Sequence, residues 1–182
     1  MSRKSKFKLL LGGKARHVTI NGVKVSVAPN TLYPLPVDAR VFEEDTHLVL
    51  TVDPVMRYTP EHPIRMLNIL TKDRAKIPGT VVHNGASWYA VVHDLDLNPT
   101  SRREWVESAY QEIFRLTEED KVTRVGIPLL GSVHGNMKSS ESLDLLLERI
   151  KAVRARELKH IMIIVPPAQV EPVKISLLRT VQ

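Results

Sequence analysis

The chain has 182 residues, 43% hydrophobic and 25% charged, the length and balance of one soluble globular domain with a substantial core. It has no cysteine, which excludes a disulfide scaffold, a thiolate zinc site and a cysteine nucleophile. Lys and Arg (26) outnumber Asp and Glu (20), so the net charge of +6 at pH 7 admits phosphate-bearing partners, while 2 Trp, 4 Tyr and 3 Phe offer few platforms for base stacking.

In chain order, residues 1–37 carry Arg3, Lys4, Lys6, Lys8, Lys14, Arg16 and Lys24 and no acid; Asp38 is the first. The excess charge therefore belongs to this segment, read either as a solvated arm or as a phosphate-binding one. Leu9-Leu10-Leu11 before Gly12-Gly13 is too short for a signal peptide, and His160 to Val165 is far short of the ~20 residues that span a bilayer. A cytoplasmic protein without membrane association is expected. Within the basic segment, Val18-Thr19-Ile20 and Val23 to Val27 flank Asn21-Gly22, a pair that supplies the positive φ of a type I′ hairpin turn. Pro29, Pro34 and Pro36 make residues 28–40 a connector.

Beyond it, strands and helices alternate. His47 to Val52 is an apolar run ending at Asp53-Pro54, read as a central strand buried on both faces. Residues 53–63 read as loop and Ile64 to Lys72 as a short helix. Thr80 to Val82 and Ser87 to Val92 form a hairpin around Asn84-Gly85, after a turn at Pro78-Gly79. Ser101-Arg102-Arg103-Glu104 matches a capping box, and Trp105, Ala109, Ile113 and Leu116 repeat at helical spacing, giving a helix over 102–117. Val122 to Pro128 is a strand. Ser139 or Ser140 caps a helix running to Glu157, Ile161 to Val165 is a strand stopped by Pro166-Pro167, and Val173 to Val181 is expected as a last strand. The pattern is α/β with a mixed sheet, divided as a basic N-terminal segment with a hairpin (1–45) and a core (46–182).

Ligands of open α/β sheets bind beyond the carboxyl ends of the strands. Asp53 follows the first central strand; His93, Asp94 and Asp96 follow the second. Leu130-Gly131-Ser132-Val133-His134-Gly135-Asn136 follows the third and leads into a helix. Glycines before a helix N-terminus turn amides toward a phosphate, although the same pattern serves a plain strand-to-helix turn. It is neither a P-loop nor Gly-x-Gly-x-x-Gly.

Val125-Gly126-Ile127-Pro128-Leu129-Leu130-Gly131-Ser132-Val133-His134-Gly135 resembles the strand-and-loop signature of macro domains. Pro78 to Val81 with Trp88-Tyr89-Ala90-Val91-Val92-His93 resembles a second passage of that family, and order and spacing agree over roughly residues 46–166. The resemblance implies a three-layer α/β/α macro-like fold with a mixed six-stranded sheet, to which the N-terminal β-hairpin is additional. It also implies binding of ADP-ribose or a related nucleotide diphosphate. Gly131, Ser132, Val133, His134, Gly135 and Asn136 would hold the diphosphate and distal ribose, with Asp53 near the base or ribose. Three family features are missing. Arg57 to Pro63 holds no glycine where the family has a Gly-Gly-Val loop. Val52-Asp53-Pro54-Val55 stands where the family has Asn-Ala-Ala-Asn, and Val133 replaces the middle glycine of the second loop.

Asp94 and Asp96 alternate along a segment read as extended, so they share a side; they read either as a solvated strand end or as the candidate acid/base pair for hydrolysis of an ADP-ribosyl or phosphoester bond. His83, His93 and His134 fall near one predicted sheet edge, but no His-x-x-x-His spacing occurs and no metal or cofactor is expected. The leading function is a nucleotide-binding module. The alternative is a degenerate macro-like fold that binds RNA or a protein through its basic N-terminal segment.

Overall fold

The structure, a computed structural model, describes residues 17–51 and 75–180. Asn21 and Gly22 take φ of 48° and 83° and join β1 (Val18–Ile20) to β2 (Val23–Pro29), the predicted hairpin. β3 (Ala39–Asp45), β4 (Val81–Asn84), β5 (Ser87–His93), β6 (Arg124–Pro128) and β7 (His160–Val165) complete a seven-stranded sheet in the order β1-β2-β7-β6-β3-β5-β4. The inner strands β2, β7, β6, β3 and β5 run parallel, and β1 and β4 pair antiparallel at the edges. Strands from both sides of residue 45 thus build one mixed sheet.

Alternation along the strands sends Ala39 and Val41, Trp88 and Ala90, Val125 and Ile127, and Ile161 and Ile163 into one core cluster with three helices. These are α1 (Arg103–Glu119), α2 (Ser139–Ala152) and α3 (Val170–Thr180), the last preceded by a 3-10 turn, Pro167–Gln169. The hairpin is also tied to a helix: the Asn21 side-chain amide donates to the carbonyls of Ile150 and Lys151 at 3.2 and 2.5 Å, closing the C-terminal end of α2. Asp38, just before β3, accepts from the Thr123 and Arg124 amides and from the Arg124 guanidinium, which holds its carboxyl down at about 2. Among the described residues, no helix is long and apolar enough to cross a membrane.

Four expectations are corrected. The first central strand is not His47 to Val52 but β3; residues 46–51 form turns, with Leu48 at a φ of 57°. The end of β3 is Glu43-Glu44-Asp45, three acids at most 2% exposed. The last element is helix α3, not a strand. Val173 and Leu177 are buried one turn apart, so packing of that face overrides the β-branched composition. Ser101 does not cap α1: the N-cap is Arg102, and Ser101 instead bridges to His93 with its hydroxyl buried and without a partner. Finally, α2 ends at Ala152, and Val153 is already extended. The predicted loop over 53–63 and helix over 64–72 lie outside the described residues.

Candidate ligand-binding site

The parallel strands β2, β7, β6 and β3 end at one edge of the sheet. A cleft of about 300 Å³ opens there, reached by Asn30, Pro128, Val165, Phe42 and Glu43 from the strand ends and by Ser132, Val133 and His134 from the loop after β6. Arg40, Thr51 and Gln169 also line it.

The loop's amides converge, but on a carboxylate of the protein itself. Glu43 Oε2 accepts from the Gly131 N–H at 2.7 Å and more distantly from Val133 at 3.4 Å. Glu43 Oε1 accepts from the His134 N–H at 2.9 Å and from His93 Nε2 at 2.6 Å. Both side chains of the Glu43–His93 pair are 1% exposed. A charge that deep persists only if fully hydrogen-bonded, and three amides and an imidazole meet that condition. With Nε2 donating to Glu43, Nδ1 of a neutral ring accepts the Thr100 hydroxyl, 3.2 Å away.

The other two acids of the run act alike. Glu44 accepts from the Leu50 and Thr51 amides at 2.9 and 2.8 Å and from the Thr51 hydroxyl. Asp45 accepts from the His47 and Val49 amides at 2.6 and 3.0 Å. Three consecutive carboxylates thereby organise the loop after β3 and the loop after β6. In the order of strands, Glu43-Glu44-Asp45 ends the first central strand, the position assigned from sequence to the end of His47 to Val52.

Beneath the loop, Tyr110 of α1 is fully buried. Its oxygen accepts from the Leu130 N–H at 3.0 Å and is 2.8 Å from Ser142 Oγ of α2; burial pushes the phenol well above its usual range. Gly131 turns the chain at a φ of 78°. Gly135 serves close packing: a Cβ there would stand 2.5 Å from the Gly131 carbonyl and 2.8 Å from His93 Cε1.

Of the predicted ligand-binding residues, Ser132, Val133 and His134 line the cleft, Gly131 and Gly135 shape its wall from behind, and Asn136 is exposed. Asp53 lies outside the described residues. Asp94 and Asp96 sit not in an extended segment but in a turn, where the Asp94 carboxylate accepts the Asp96 N–H at 3.1 Å and the Asp94 carbonyl accepts the Leu97 N–H. His93 and His134 are neighbours, with ring centroids 6.4 Å apart, whereas His83 stands beside Asp120 at 3.6 Å. Among the described residues, no group of three His, Asp or Glu could hold a metal ion. Sequence reasoning missed Glu43. Its signal was the alternation of Ala39 and Val41 running straight into the acids.

No protein-family model and no curated protein matches the chain. Solved structures do match. The macrodomain of Oceanobacillus iheyensis with ADP is similar over 90% of this chain and 94% of its own, at a TM-score of 0.67 and 11% identity. A mutant of that macrodomain with ADPR is similar over 90% and 96%, again at 0.67 and 11%. The macrodomain of Mycobacterium tuberculosis DarG aligns over 80% and 99%, at 0.58 and 12%. The macro domain of ganglioside induced differentiation associated protein 2 aligns over 88% and 85%, at 0.62 and 16%. Identities this low speak for architecture alone, and with the sheet order and the strand-to-helix loop they agree on one conclusion: the chain has the macrodomain fold.

Proposed function

We propose that the chain is a binding module that takes ADP-ribose or a related nucleotide diphosphate in the cleft at the ends of β2, β7, β6 and β3, and that it does so without hydrolysis. The observation that carries this reading is the cleft itself, walled by Ser132, Val133 and His134 where ligands of open α/β sheets bind. The similar macrodomain structures with ADP and with ADPR support the ligand class. Within the predicted loop of Gly131 to Asn136, Ser132, Val133 and His134 form the ligand's wall, and Asp53 is the expected neighbour of its base or ribose. Glu43 already engages the Gly131 and His134 amides, so a phosphate reaches them only by displacing a carboxylate. Asp94 and Asp96 stand in a turn that does not line the cleft, and Glu43 is held by four donors; both points support binding without turnover.

The test is calorimetric titration of the full chain with ADP-ribose, ADP and AMP, with thermal shift alongside. Ligand-dependent heat and a rise in melting temperature are expected, because a ligand of the native state stabilises it. Neither effect at millimolar ADP-ribose would refute the reading. It would leave the alternative, an RNA or protein partner of the basic N-terminal segment, to be tested by deleting residues 1–16. Deleting 1–37 would not serve, since it removes β1 and β2, and β2 pairs with β7.

A further inference from the structure

Arg40 is the one feature of the cleft that the loop, the carboxylates and the helices leave unexplained. It lies in β3 between Ser87 of β5 and Gly126 of β6, on the face turned away from the core helices. Gly126 presents no side chain, and Leu35 and Ile164 close over it: a Cβ there would be 3.0 Å from Leu35 Cδ2 and 2.8 Å from Ile164 Cδ1. Two residues along the same face is Phe42. The Arg40 guanidinium lies over its ring at 4.9 Å, and that ring stacks on Tyr89 at 5.7 Å. Aromatic contact of this kind holds a planar guanidinium in place and leaves its edge free for hydrogen bonding.

Among the described residues, that edge meets no acceptor. Arg40 Nε is buried and unpartnered, and among the described residues no carboxylate forms an ion pair with Arg40. A buried donor left in this state is costly, and one that lines a cleft points to a ligand acceptor. The loop's own anion-binding groups are engaged: the Gly131 and His134 amides by Glu43, and the Ser132 hydroxyl by the Leu129 carbonyl at 2.7 Å.

We propose that Arg40 is the oxyanion anchor of this cleft, taking the phosphate of a nucleotide in place of the loop amides. The inference rests on the nucleotide-binding reading and specifies where its negative charge is held. The fork of a guanidinium donates two parallel hydrogen bonds to a phosphate or a carboxylate, and the neighbouring Glu43 carboxylate repels the same anion from the loop. A ligand so held lies toward β3 and Asn30 rather than inside the loop of residues 131–136.

The experiment titrates the full-length wild type, Arg40→Gln and Arg40→Lys with ADP-ribose, AMP, adenosine and inorganic phosphate. It also follows the amide resonances of Gly131 and His134, and circular dichroism confirms that the variants fold. ADP-ribose and AMP are expected to lose about 10- to 100-fold in affinity in Arg40→Gln and less in Arg40→Lys, the range for one charge-assisted hydrogen-bonded contact. Adenosine is expected to be indifferent to the substitution, the Gly131 and His134 amides to keep their shifts, and inorganic phosphate to stabilise wild type but not Arg40→Gln. Binding that is insensitive to Arg40→Gln and that moves the Gly131 and His134 resonances overturns the anchor while leaving the nucleotide reading intact. Binding of no probe to any form overturns both.

Discussion

Replacing Glu43 by alanine tests whether the β6–α2 loop is held by an internal anion. The carboxylate is 2% exposed and receives strong hydrogen bonds from Gly131 N–H, His134 N–H and His93 Nε2, at 2.7, 2.9 and 2.6 Å. Alanine leaves these donors buried without an acceptor, at about 1–3 kcal/mol for each that finds no water. Part of this is recovered because a charge no longer has to be buried. Three such donors, offset in part by that relief, net about 3–5 kcal/mol. For a chain of this size each kcal/mol moves the melting temperature by about 2–4 °C, so Glu43→Ala should lower it by on the order of 10 °C. The same substitution leaves amides aimed at a space the size of a carboxylate. Millimolar inorganic phosphate should therefore restabilise Glu43→Ala more than wild type, and the gain should survive the added change Arg40→Gln. Urea denaturation and thermal shift, each with and without phosphate, read both effects. A loss of under ~1 kcal/mol, with the Gly131 and His134 amide resonances unmoved, would show that the carboxylate does not hold the loop.

Tyr110→Phe removes the acceptor of the Leu130 N–H and the partner of Ser142, so a loss of about 1–3 kcal/mol is expected in urea denaturation, with little change in fold. Gly135→Ala drives a methyl to 2.5 Å from the Gly131 carbonyl and 2.8 Å from His93; a loss of about 1–3 kcal/mol should appear as a lower melting temperature, and an unchanged one would contradict the packing. Asp38 has its carboxyl lowered from 3.8 to about 2, chiefly by the Arg124 hydrogen bond, so the folded state binds the proton less readily than the unfolded chain. Its contribution is complete above about pH 4 and disappears as pH falls toward 2. After allowance for solvent screening of a partly exposed pair it amounts to about 1 kcal/mol. Acid titration of Asp38→Asn followed by circular dichroism should show that slope reduced.

Local chemistry was enough to place several elements. Asn21-Gly22 could form little but a two-residue hairpin turn. Trp105, Ala109, Ile113 and Leu116 at helical spacing marked α1, and the apolar runs at Val125 and Ile161 marked the two strands that lie side by side at the centre of the sheet. The glycines after β6 located the strand-to-helix loop, and with the resemblance it carried, the macrodomain fold. These signals depend on neighbours within one turn or one strand, so they survive without knowledge of the rest of the chain.

What the sequence could not disclose depends on partners far along the chain. Glu44 and Asp45 are satisfied by the residues that follow them, but Glu43 has no such partner near it in the chain and carried no local sign of its role. Glu43 is buried because amides 88 and 91 residues away turn toward it. The helix α3 is rich in β-branched residues and folds as a helix because Val173 and Leu177 meet the core cluster. Ser101 leaves its capping position because β5 brings His93 alongside. By itself, then, the sequence determined the alternating α/β elements and the position of the strand-to-helix loop, from backbone preference and hydrophobic period. Only the tertiary structure decided which anion that loop holds, since a carboxylate is buried or solvated according to the donors that distant segments bring to it.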